Sequence, residues 1–123
     1  MINNNVNISI QERTENFAIR VVKAYSELNK RPFDDACKVL SKQFLKSGTS
    51  IRANFSEARY AQSNSDFINK YSIALKEANE TLYWIRIMIK SELVQKSKFQ
   101  NMMQENDEII RILVSSINKL KQK

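Results

Sequence analysis

Histidine is absent from this 123-residue chain, and glycine, proline and cysteine occur once each. Without histidine there is no Ser-His or Cys-His nucleophile pair. The Glu-x-x-His pairs by which ferritin-like bundles hold two metal ions are also ruled out, as is a histidine-dependent helical ribonuclease. One glycine supplies no Gly-rich phosphate loop, and β-rich folds with many tight turns need more glycine and proline than this. The lone Cys37 has no partner for an internal disulfide or a zinc site, so a reducing cytoplasm is the expected setting. No stretch approaches the roughly 18 uninterrupted apolar residues of a membrane span. The opening MINNNVNIS lacks the basic region and apolar run of a signal peptide.

What is present is helical periodicity. Ser65 to Lys90 contains no Gly, no Pro and no turn cluster. Phe67, Tyr71, Ala74, Ala78, Ile85 and Met88 recur at three- and four-residue steps, and Ile68, Leu75, Leu82 and Ile89 form a stripe beside them. Ile73, Trp84 and Ile87 fall on a third line, away from that arc. A helix with so much apolar surface needs neighbours on more than one side, and this third line is the candidate oligomer interface.

Three further helices follow from the same reasoning. Residues 1–8 read as a frayed tail, and the first helix starts near Ser9, where Ser9 and Glu12 fit a capping box. Ile10, Thr14, Phe17, Val21, Tyr25 and Leu28 hold its core face, and Pro32 ends it. The second helix is expected from Phe33, with Asp34 and Asp35 near its positive end. Its core line is Phe33, Ala36, Leu40, Phe44, Ser47, Ile51, Asn54 and Ala58. Ser47-Gly48-Thr49-Ser50 looks locally like a loop, but the helical phase runs straight through it. We therefore expect one continuous helix, with the small residues admitting a close neighbour. Cys37 lies beside the core line as a small buried hydrophobe. The central helix opens at a cap formed by Ser63 and Asp66. A fourth helix opens after Ser97, in a Ser-x-x-Gln pattern to Gln100, with the stripe Phe99, Met103, Asn106, Ile110, Leu113, Ile117 and Leu120. Short connections make consecutive helices antiparallel. The expectation is all-α: helices near 9–29, 33–61, 65–91 and 97–121 form one up-down-up-down four-helix bundle over residues 9–123.

Chemistry is sparse. Glu77 and Glu80 sit one turn apart beside Lys76, but no His, Cys or third clustered carboxylate accompanies them, so ion pairs or caps are the ordinary explanation. No catalytic residue, metal site, cofactor or small-molecule substrate is indicated. Charge carries the remaining signal: 20 Lys+Arg against 13 Asp+Glu give +7. The excess is +2 over residues 1–32, +2 over 33–63, zero over 64–92 and +3 over 93–123. Lys38, Lys42, Lys46, Arg52 and Arg59 fall within an arc of roughly 140° on the second helix, a candidate nucleic-acid-binding stripe. The competing view is a solvated face, with Asp34, Asp35 and Glu57 neutralising much of the second helix and Lys30, Arg31, Lys90, Lys119, Lys121 and Lys123 complementing helix C-termini.

The segment Ser50-Ile51-Arg52-Ala53-Asn54-Phe55-Ser56-Glu57-Ala58 resembles the Ser-Ile-x-Ala-Asn-Ile-x-Glu-Ala/Gly motif of the bacterial 23S rRNA-intervening sequence proteins. So do Ser65 to Ile68, Ile73 to Thr81 and Tyr83 to Ile85. The resemblance covers roughly residues 10–120. It departs at Phe55, where the family commonly has Ile, and at Arg52, where a small residue or Pro is frequent. It implies a four-helix bundle assembling as a homopentameric ring. The related accessory variability determinant of diversity-generating retroelements carries a basic surface and works with a reverse transcriptase and nucleic acid. Two functions are therefore expected from the sequence: a non-enzymatic nucleic-acid-binding oligomer, or an adaptor that meets a partner protein through apolar helix faces.

Overall fold

The computed structural model describes residues 9–122, which leaves the expected tail, residues 1–8, outside the described residues. Four α-helices occupy them: α1 (Ile10–Leu28), α2 (Asp35–Glu57), α3 (Asn64–Lys90) and α4 (Lys96–Lys121). A 3-10 turn, Ala58–Tyr60, tightens the end of α2. Helix α1 packs on α2 and α4, and α3 packs on α2 and α4. The pairing is antiparallel: Glu15 meets Arg52, Val21 meets Gly48 and Asn29 meets Ser41, one helix ascending as the other descends. No strand occurs among the described residues.

Local signals set most helix ends. Ser9 caps α1, its Oγ accepting from the Glu12 amide at 3.0 Å, and Ser63 caps α3 by accepting from Asp66 at 3.0 Å. Asp34 caps α2, its Oδ1 accepting from the Cys37 amide at 2.9 Å. That cap corrects the expected start at Phe33. With Asp34 in the cap position, Phe33 lies outside the helix, at φ 59° and 97% exposed. Ala36 is exposed too, and the first buried positions are Cys37 and Ser41. Helix α4 starts at Lys96 after Gln95, without a side-chain cap, so the Ser97 cap is not used. Helix α3 ends in a Schellman turn: the Leu93 amide donates to Met88 O and the Glu92 amide to Ile89 O, both at 3.0 Å. Glu92 takes the left-handed position at φ 63°, where glycine is usual.

Helix α2 is unbroken through Gly48, and packing is the reason for its small residues. A Cβ at Gly48 would lie 2.8 and 2.9 Å from the two γ-methyls of Val21. On its other side α2 meets α3, where the buried hydroxyls of Ser47 and Thr81 lie 2.9 Å apart. Thr81 also donates to Glu77 O at 2.7 Å, the i−4 bond that lets a hydroxyl sit inside a helix core.

The core joins Phe17, Val21, Phe44, Ile51, Ile85, Met88, Ile109 and Leu113, all fully buried. On α4 the burial falls on Met102 and Ile109, while the expected Met103 and Ile110 pack partly buried against the core. Asn106 is wholly buried, its Nδ2 donating to Ala78 O at 2.9 Å. Arg13 joins α1 to α4 by a two-point grip on Glu105, at 3.0 and 2.9 Å. Its guanidinium pKa is raised, first by that hydrogen bond.

Candidate nucleic-acid interface

Helix α2 presents Lys38, Lys42 and Lys46 at four-residue steps, all three exposed. Four residues rise about 6 Å along a helix, so the three cations form a line rather than a cluster. None of them has an ion-pair partner among the described residues. Lys46 is nonetheless close enough to Glu77 of α3 to act on its charge. The Glu77 carboxyl is raised above its ordinary pKa by burial first and by Glu80 second, with Lys76 and Lys46 opposing.

The other two cations of the stripe are placed differently. Arg52 is turned toward α1, its Nε 3.5 Å from a Glu15 carboxylate oxygen and its Nη1 donating to Ser56. Its side chain is one-quarter exposed, so little of its charge reaches solvent. Arg59 is exposed on the 3-10 turn that follows α2. The nearby acids are mostly engaged: Asp34 in the cap and with Arg31 at 3.8 Å, Glu57 with Lys70 of α3 at 3.3 Å. Asp35 is exposed on the first turn of α2.

Ile73, Trp84 and Ile87 are half-buried, and Trp84 packs against the core. The expectation that Trp84 lies off the intramolecular stripe is corrected. Lys70, Glu77 and Trp84 follow one another at seven-residue steps, two helical turns each. Lys70 reaches Glu57 of α2 and Glu77 feels Lys46 of α2, so this line of α3 forms the α2–α3 seam. The Trp84 indole N–H is buried there without a hydrogen-bond partner, and Tyr83 stacks edge-on to the ring at 4.9 Å.

Other surface features were not singled out by the sequence. Phe33 is 97% and Tyr60 77% exposed, one before and one after α2. Their large exposure follows from the Asp34 cap and the 3-10 turn, which take both residues out of the packed phase of α2. A cleft of about 320 Å³ between α3 and α4 is lined by Arg86, Lys90 and Lys96 around Ile89 and Met103. Ile19, Val22, Val39, Tyr83 and Val114 are also substantially exposed.

Cys37 is buried, and its Sγ lies 3.6 Å from Leu28 O. Burial pushes its thiol pKa up, with Arg31 opposing and Asp34 adding to the rise. Among the described residues, no group of three or more His, Cys, Asp or Glu side chains could hold a metal ion. No described helix is long and apolar enough to cross a membrane.

The Ser50 to Ala58 motif spans the last turns of α2 and the first residue of the 3-10 turn. The profile of the 23S rRNA-intervening sequence proteins matches residues 7–115. The chain belongs to that family. A solved structure from Bacteroides thetaiotaomicron, described as a protein with unknown function from the S23 ribosomal protein family, superposes with a TM-score of 0.83. The two share 42% identity over 89% of this chain and 98% of the other. No curated protein matches the chain. Within the family motif, Ile51, Phe55 and Ala58 are buried, whereas Arg52 is held by Glu15 and Ser56. The motif therefore specifies packing of α2 against its neighbours.

Proposed function

We propose that this family member is a non-enzymatic, oligomeric nucleic-acid-binding bundle. Its contact surface is the outer face of α2, and it reads phosphate rather than base sequence. The observation that carries this reading is the line Lys38, Lys42 and Lys46, exposed and without ion-pair partners among the described residues. Arg52 of the same stripe is spent on Glu15 and Ser56, whereas these three keep their charge in solvent along one line of α2. All three lie away from the C-terminal turn of α2, where a cation would complement the helix dipole. Their uniform chemistry offers no donor-acceptor pattern for reading base edges, which leaves backbone contact as the mode.

Assembly belongs to the same proposal. The family resemblance implies a homopentamer. Apolar residues exposed on α1, α3 and α4, namely Ile19, Val22, Tyr83 and Val114, supply surface for contacts between copies. The same surface favours a second reading, an adaptor that meets a partner such as a reverse transcriptase through apolar faces. A binding titration with RNA and DNA across salt concentrations separates the two. A nucleic-acid binder shows affinity falling linearly on a log-log plot as counterions compete. Absence of binding at low salt, or binding indifferent to salt, would leave the adaptor. Sedimentation of the free protein reads the number of copies directly; a monomer at all concentrations would remove the assembly.

A further inference from the structure

We infer that the outer line of α2 takes single-stranded rather than duplex nucleic acid, with Phe33 and Tyr60 as stacking platforms for unpaired bases. This rests on the phosphate-binding reading above and narrows its ligand. Phe33 and Tyr60 are the two most exposed large apolar side chains among the described residues, at 97% and 77%. The fold makes little use of either. Phe33 stands in the left-handed region at φ 59°, where a bulky side chain is rare, and contributes nothing to the core.

Each ring has cationic neighbours. Lys30 and Arg31 precede Phe33, both on the surface and each paired only within its own turn, to Glu27 and Asp34. Arg59 precedes Tyr60 and is exposed. Between the two rings runs α2 with Lys38, Lys42 and Lys46 on its surface. Exposed aromatic rings before and after a lysine line supply the two kinds of contact by which proteins hold single strands: cations follow the backbone while bases stack on side-chain rings. A duplex keeps its base faces stacked inside and offers nothing to an exposed phenyl or phenol ring. The rings therefore discriminate by strandedness and the lysines do not.

The test uses the full chain, a labelled mixed-sequence single-stranded oligonucleotide and the duplex of the same sequence, with fluorescence anisotropy as the readout. Phe33→Ala and Tyr60→Ala should each weaken single-strand binding by about 5- to 100-fold, as expected for loss of one stacked base. Duplex binding and the salt slope should be unchanged. Phe33→Trp should retain affinity, and its fluorescence should be quenched by the single strand alone. Single-strand binding by both Ala variants at wild-type strength overturns the inference while leaving phosphate binding intact. If the wild type binds neither form, the broader reading falls and this inference with it. A change in the sedimentation of the free protein on Phe33→Ala would assign that ring to contact between copies and likewise overturn the inference.

Discussion

Replacing Gly48 with Ala sets helix propensity directly against packing. In an open helix the change stabilises by about 0.8–1 kcal/mol. Here the new methyl would sit 2.8 and 2.9 Å from the two γ-carbons of Val21 and 3.3 Å from its Cβ. Val21 cannot swing away, because both methyls face the site and a β-branched side chain in a helix holds essentially one χ1 rotamer. Relief requires α1 and α2 to separate by several tenths of an ångström, disturbing the packing of buried Phe17 and Phe44 as well. Overpacking of this kind costs about 1–3 kcal/mol, so Gly48→Ala should destabilise by about 1 kcal/mol net. In a Val21→Ala background, itself destabilised by about 2 kcal/mol, the same change should stabilise by up to about 1 kcal/mol. Urea unfolding followed by circular dichroism, at fixed protein concentration, measures all four corners of the cycle. Stabilisation by Gly48→Ala in both backgrounds would refute the close-approach explanation.

Glu92→Gly removes the left-handed strain at the end of α3 and should raise stability by about 1 kcal/mol, seen as a higher thermal midpoint. A lowered midpoint would mean the Schellman turn depends on the Glu92 side chain. Glu77 has its pKa raised by burial, so the folded chain holds that proton more tightly than the unfolded chain, and stability falls as pH rises from the ordinary carboxylate pKa through the raised one. Glu77→Gln should therefore raise the thermal midpoint at neutral pH, with the advantage vanishing below that window; an advantage that grows toward acid pH contradicts this sign. Cys37, buried with its pKa raised, should resist an aromatic disulfide reagent at neutral pH in the folded protein and react fully in denaturant.

Helix number, order and approximate extent are legible in the sequence because each helix carries a long apolar period. The passage of α2 through Gly48 is legible for the same reason, since a loop would have broken the phase from Leu40 to Ala58. What escapes is decided by competition between neighbours. Asp34 prevails as the cap and leaves Phe33 in solvent, although Phe33 fits the apolar period one turn before Ala36. On α4, the adjacent pairs Met102–Met103 and Ile109–Ile110 are equally apolar, and only the directions of α1 and α3 decide which member is buried. Trp84 is ambiguous by period alone; the ion pair of Lys70 with Glu57 reveals that its line faces α2. The basic arc is legible as charge, but Glu15 lies in another helix, and no local pattern shows that it holds Arg52.

The lysine line tests the functional account most directly. Changing Lys38, Lys42 and Lys46 together to Gln leaves every observed ion pair and buried contact in place and removes within the fold only the Lys46 charge that acts on Glu77, so the fold should be retained. Each phosphate contact contributes about 0.7 to the logarithmic salt slope on a single strand. Nucleic-acid binding by the triple variant should therefore weaken strongly at low salt, with a slope shallower by about 2. A variant that binds with wild-type affinity and wild-type salt slope would contradict the assignment of the nucleic-acid surface to α2.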